Sequence, residues 1–379
     1  RCTFPAMKHA LFSAIVLSGC SLAVSDTPDG GVLVVQADAQ APAPDSGVQR
    51  PAADVGQNTP NEDAGNAQPF DAGPQAALAD CPDDLRAELV GHQCVPLIGT
   101  ATACRDAETL RRDHSWARDA AVVRYAEPQG TGDGSSAEEA GDLATLIDEA
   151  GAESTAIILA SGTYTLSDAL ALGVRGPLSL IGACASQTQL ELGAPLTAGA
   201  GSSVQIYGLG VRGPLSAEEG TNASAIELDG VSSFTLMQSI VTAAAGHGID
   251  TVNTGGGDGV LISGVTFNAV RNTAISASDA LGSWTVEGNL CRGPIGEHGV
   301  SFERGNANVT VRSNHFEGIN GDAMRGSNAL GSWTVEGNLC RGQIGGNAMN
   351  IAGGNAEAQM TVRNNTFEQI TGNGISAQN

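Results

Sequence analysis

Four pairs of polar residues stand three positions apart: His247 with Asp250, His298 with Ser301, Asp322 with Arg325, and Asn347 with Asn350. Imidazole and carboxylate groups can move protons, and converging carboxylates can hold calcium. A row of hydroxyl, amide and guanidinium groups can instead hydrogen-bond a sugar chain. The tripeptide Gly246-His247-Gly248 adds a histidine between two residues that tolerate tight turns. Which of these chemistries is open depends on how far apart the groups are held by the repeat that positions them.

The segment LGSWTVEGNLCRG at residues 281–293 recurs unchanged at 330–342, and weaker relatives lie at 308–318 and 359–369. The period is therefore about half of the 49-residue offset. One apolar column reads Ile206, Leu236, Ile262, Val286, Val311, Val335 and Val362, with spacings of 30, 26, 24, 25, 24 and 27. A second reads Ile226, Ile249, Ile275, Val300, Met324, Met349 and Ile375. Short alternating strands with Gly and Asn turns at this period predict a β-solenoid, whereas helical repeats are longer and carry a 3.6 pattern. Trp284 and Val286 face inward and Thr285 and Glu287 outward.

Further columns fit the same register. Val241, Phe267, Cys291, Phe316, Cys340 and Phe367 form an apolar stack, so Cys291 and Cys340 read as core thiols. Two coils separate them, about 9.6 Å at about 4.8 Å per rung, too far for a disulfide. Asn289, Asn314, Asn338 and Asn365 predict an internal asparagine ladder. Glu287, Arg312, Glu336 and Arg363 alternate in charge, as do Arg292, Glu317, Arg341 and Glu368. Opposite charges on neighbouring rungs stabilise by roughly 0.2–1 kcal/mol per pair, which removes these side chains from the catalytic candidates. The opening residues fall into two polar columns: His247, Thr273, His298, Asp322, Asn347, Asn373 and, three residues on, Asp250, Ser276, Ser301, Arg325, Asn350, Ser376.

With these repeats in place, residues 121–379 resemble the right-handed parallel β-helix, or pectin-lyase-like, superfamily. Gly130-Thr131-Gly132-Asp133-Gly134, a helical stretch over 142–150, and Gly162-Thr163-Tyr164 resemble its entry. The resemblance implies an all-β solenoid of about 25 residues per coil, about eight coils, with an N-terminal capping helix that presents Leu143, Leu146 and Ile147. It leaves function open, since the fold hosts lyases, hydrolases, adhesins and binders. Lyases of this fold use calcium held by several carboxylates and an arginine base. Asp250 and Asp322 fall three rungs apart, about 14 Å, too far to share an ion. Polygalacturonase-type hydrolases use paired aspartates with Gly-His-Gly; only the tripeptide is present, and in a Gly-rich repeat it reads as a turn. Trp284 and Trp333 lie in the inward column with Phe234, so the stripe lacks the exposed rings that sugar sites favour. His247, His298 and His315 are too scattered for a metal site.

Composition narrows the partners. The chain carries 41 acidic and 18 basic residues, a net charge of -23, with Lys8 its single lysine. Nucleic-acid binding needs clustered cations, and Schiff-base or P-loop chemistry needs a lysine elsewhere. Met7-Lys8-His9, the apolar stretch from Ala10 to Leu17 and Leu17-Ser18-Gly19-Cys20 resemble a bacterial lipoprotein signal, with residues 1–6 upstream of the expected start. The resemblance implies lipidation of Cys20, and Ser21 after it favours the outer membrane. Residues 21–80 hold nine acidic residues against Arg50 alone and seven prolines, the composition of a disordered tether. Residues 81–120 form a Cys-rich neck. In an oxidising envelope Cys81, Cys94, Cys104 and Cys184 are disulfide candidates with three possible connectivities; metal binding is the alternative, without a supporting Cys-x-x-Cys. Were export of this kind absent, Asn222, Asn308 and Asn364 would be glycosylation positions.

The expectation is a lipid-anchored cell-surface scaffold that binds polysaccharide or a surface protein without turnover. Its candidate binding residues are the eight of the opening pairs, with no catalytic residue, metal or cofactor assigned. The alternative is a polysaccharide lyase or glycoside hydrolase, which would bring calcium with it. The last apolar position, Ile375, stands four residues from the final Asn379, so the domain is expected to be incomplete at its C-terminus.

Overall fold

The period of about 25 residues winds the chain into coils whose strands stack in parallel. The computed structural model describes the backbone alone of residues 21–25, 33–38, 85–88 and 93–96. It describes residues 104–173, 175–214, 223–242, 244–253, 259–328, 331–353 and 359–378 in full. Each coil carries a first strand, a short second strand after a tight turn, and a third strand facing them. First strands stack from Val122–Ala126 to Met360–Phe367, and the third strands form a nine-stranded sheet from Leu170–Leu172 to Ile375–Gln378. This is the expected all-β parallel β-helix.

The apolar columns pair as their spacing predicts. Ile206 registers with Leu236, then Ile262, Val286, Val311, Val335 and Val362. Ile226 begins the second column, which continues through Ile249, Ile275, Val300, Met324, Met349 and Ile375. A further aliphatic stack, Val270, Ile295, Ile319, Ile344 and Ile370, joins the coils by single bridges between the second and third strands. Phe302 sits between Trp284 and Trp333 in edge-to-face contact, with centroids 5.2 and 5.3 Å apart. Cys291 and Cys340 are buried and free, and burial holds both thiols well above the usual range.

From the coil that contains Gly208 onward, the first turn takes one left-handed residue: Gly208, Gln238, Gly264, Gly288, Ser313, Gly337 and Asn364 all have positive φ. Directly after it stands the asparagine ladder. Asn314 Oδ1 accepts from Asn289 N and Nδ2, both at 2.9 Å, while its own Nδ2 donates to Val286 O and Asn338 Oδ1 at 2.9 Å. Asn338 repeats the pattern with Asn365. These amides are at most 2% exposed, so each satisfies backbone groups that water cannot reach.

At the N-terminal end, helix Leu143–Asp148 is capped by Asp142, whose carboxylate accepts from Thr145 N at 3.0 Å, and it buries Leu143, Leu146 and Ile147 against the core. The described part of the neck is two short helices, Ala107–Asp113 and Ser115–Asp119. They lie on the outer face of the early first strands, where Leu110 and Ala117 pack with Ala156, Ile158 and Ile181. That covering explains why Thr155–Leu159 is buried on both faces. A Cys104–Cys184 disulfide with Cα atoms 4.8 Å apart fastens the neck, selecting one pairing from the four candidate cysteines. The side chains of Cys81 and Cys94 lie outside the described residues.

Within the segment expected as a tether, strands Ser21–Ser25 and Leu33–Asp38 pair antiparallel, and the second runs antiparallel to Met360–Phe367. Leu85–Glu88 and Gln93–Pro96 form another antiparallel pair. Cys20 and the rest of the expected signal fall outside the described residues, as do Asn222 and the rest of 21–80. None of the described helices is long and apolar enough to cross a membrane.

Candidate functional site

The column running from His247 to Asn373 is built as a second ladder. Each coil begins its third strand with a backbone N–H that the preceding coil's polar side chain can accept. His247 Nδ1 accepts from Thr273 N at 3.2 Å, and His298 Nδ1 from Asp322 N at 3.0 Å. Asp322 Oδ1 accepts from Asn347 N at 2.7 Å, and Asn347 Oδ1 from Asn373 N at 2.9 Å. Thr273 breaks the series: its hydroxyl donates to Glu297 at 3.3 Å.

The ladder meets the neighbouring column at its lower end. Asp322 also accepts from Asn347 Nδ2 at 3.0 Å and, through Oδ2, from Asn350 Nδ2 at 2.9 Å. Arg325 Nη1 lies 2.9 Å from His298 Nε2. Burial and then the Arg325 charge hold the His298 imidazole below its ordinary pKa, and so favour the neutral ring. His298, Asp322, Arg325, Asn347 and Asn350 therefore form one cluster. Ser301 is buried in the column directly before Arg325. His247 and Asp250 lie outside it, two and three rungs before His298 and Arg325.

Gly246-His247-Gly248 is a packing turn. A Cβ on Gly246 would stand 2.8 Å from the Ala223 carbonyl carbon, and one on Gly248 would stand 2.6 Å from Ala274 O. Only glycine lets adjacent coils close at both points.

A pair of carboxylates escaped the sequence reading. Glu227 follows Ile226 and registers directly with Asp250 on the next rung. Burial and then the Asp250 charge raise the Glu227 pKa. The signal lies in the apolar column, because Ile226 and Ile249 belong to it and each is followed directly by an acid. Calcium takes about six to eight oxygens. Among the described residues no group of three His, Cys, Asp or Glu side chains converges, so these two acids do not fit a site made of several carboxylates.

Charge alternation forms ion pairs in one column, and in the other Arg341 turns to a different partner. Glu287 pairs with Arg312 at 2.5 Å and Glu336 with Arg363 at 2.8 Å. Arg341, expected to face a glutamate, donates through Nε to His315 at 3.0 Å, while His315 lies 3.9 Å from Glu317. Burial, then Arg341 and Arg292, push the His315 pKa down to about 4.

Stacked register, asparagine ladder and capping helix together define a parallel β-helix protein. Among solved structures, that of the pectate lyase Pel9A aligns with a TM-score of 0.42 and 13% identity, over 64% of this chain and 78% of that one. No protein-family model and no curated protein matches the sequence.

Proposed function

We propose that this chain is a cell-surface lipoprotein whose β-helix binds a polysaccharide or another surface partner without turning it over. The observation that carries the reading is the cluster around Asp322. Its carboxylate accepts three N–H groups, so both oxygens are held in place by the next coil and neither is aimed at a proton in transit. His298 is likewise engaged at both ring nitrogens. Such groups make a fixed polar array, repeating with the rungs at about 4.8 Å, that suits an extended ligand better than proton transfer. The anchor rests on Leu17-Ser18-Gly19-Cys20, which a Cys20→Ser variant tests: it should lose fatty-acid labelling and membrane association.

One observation favours a polysaccharide lyase or hydrolase instead. Glu227, stacked on Asp250, has a raised pKa, and a carboxyl that holds its proton beside a second carboxyl is what a general acid requires. Incubation with acidic and neutral polysaccharides, with and without calcium, separates the readings. Binding without new reducing ends or unsaturated products supports the scaffold. Product formation that Glu227→Gln abolishes would replace it with the enzyme.

A further inference from the structure

We infer that the groove between the neck and the early first strands is a binding site for neutral saccharides, distinct from the third-strand face. The inference rests on the polysaccharide-binding reading and gives it a second location and a ligand class. Beside helix Ser115–Asp119 opens a cavity of about 280 Å³. That volume is near the lower end for small-ligand sites.

Trp116 forms one wall and is half-buried. Its indole is held edge-to-face by His114, with centroids 5.0 Å apart, and by Tyr207 at 6.2 Å. His114 Nδ1 also accepts from Trp116 N at 3.3 Å, which fixes the backbone beneath the ring. The floor is polar. Ser179 donates to Gln205 Oε1 at 2.8 Å, so the Gln205 amide is oriented with its Nε2 hydrogens unused among the described residues. Ser154 and Ser203 add hydroxyls, and Asp119 stands at the rim.

A held indole beside hydroxyl, amide and carboxylate groups matches a pyranose, which offers an apolar ring face and a fringe of hydroxyls. None of the described lining residues is cationic. The nearby guanidinium of Arg118 is already paired with Asp119 at 3.5 Å, so a phosphate, sulfate or uronate would meet no uncommitted counter-charge from the lining, and the net charge of -23 would repel it. The ligand class is thus an uncharged sugar.

Tryptophan fluorescence of the full chain reads this site directly, because the other two tryptophans, Trp284 and Trp333, are 1% and 4% exposed. The probes are cellohexaose, xylohexaose and mannohexaose, with hexagalacturonate as the acidic comparison. At least one neutral probe should shift the emission saturably. Calorimetry should then show binding about tenfold weaker in Trp116→Ala, the loss of one stacking contact. Gln205→Ala, which leaves the aromatic packing in place, should weaken it severalfold. If a neutral probe binds both variants as tightly as the parent chain, the groove assignment falls while saccharide binding stands. If hexagalacturonate alone binds, the ligand class and the groove fall but polysaccharide binding survives. If no saccharide binds, the groove and the polysaccharide reading fall together.

Discussion

The guanidinium of Arg325 lies 2.9 Å from the imidazole of His298 on the preceding coil, while the other ring nitrogen accepts the Asp322 N–H at 3.0 Å. A neutral imidazole has one N–H and one acceptor nitrogen, so two donors compete for one lone pair. Protonation relieves neither and adds repulsion from Arg325. Replacing Arg325 by Gln should therefore raise the His298 pKa, because it removes the second-largest cause of the lowering. An NMR titration of the ring protons checks this, and an unchanged midpoint would mean that the Arg325 charge does not act on the ring.

The asparagine ladder should be costly to interrupt. Asn314→Ala strands the Asn289 N–H and the Val286 carbonyl in the interior, at about 1–3 kcal/mol for each orphaned group. Denaturant unfolding should show a loss of about 3–5 kcal/mol. The exposed Asn306→Ala should stay within about 0.5 kcal/mol of the parent.

Acid should weaken the solenoid well above the carboxylate range. His114, His298 and His315 all have folded-state pKa values lowered chiefly by burial, His315 to about 4. The unfolded chain therefore takes up protons first as pH falls. The stability these groups contribute is complete above about pH 6.5 and is lost as pH falls toward 4, with a ceiling of about 3 kcal/mol for His315. Unfolding midpoints measured from pH 7.5 to 4 should fall most steeply below 6.5, and His315→Gln should flatten the slope.

The Cys104–Cys184 bridge closes a loop across a sequence separation of 80. In the chain-entropy account that is worth about 4 kcal/mol. A Cys104→Ser/Cys184→Ser variant should melt earlier. Limited proteolysis should cut it first within helices Ala107–Asp113 and Ser115–Asp119, leaving the coils resistant. Native Cys291 and Cys340 should resist thiol reagents until the coils unfold, since both are fully buried.

Rung-to-rung relations were legible in the sequence wherever one column repeats one residue type. Val286 over Val311, Asn289 over Asn314 and Glu287 over Arg312 follow from spacing alone, because a parallel solenoid turns sequence period into spatial adjacency. Where a column changes type, the pattern hides the contact, as with Glu227 over Asp250. Arg341 shows a different limit: its rung was right, but hydrogen bonding to His315 decides its partner and leaves no trace in the period. The neck has no period at all. Its position is marked only by outward apolar residues, Ala156, Ile158, Ile181 and Tyr207, on strands whose later counterparts point Thr285, Thr310 and Thr334 outward.

The alternating column Glu287, Arg312, Glu336, Arg363 sets a parity rule on how this protein can lengthen. Insertion of one coil would bring two glutamates or two arginines onto neighbouring rungs. Insertion of two coils restores every pair, and the identical segments at 281–293 and 330–342 lie two coils apart. Growth by gene duplication is thus buffered electrostatically only in even steps, and the chain carries one such step written in its own sequence.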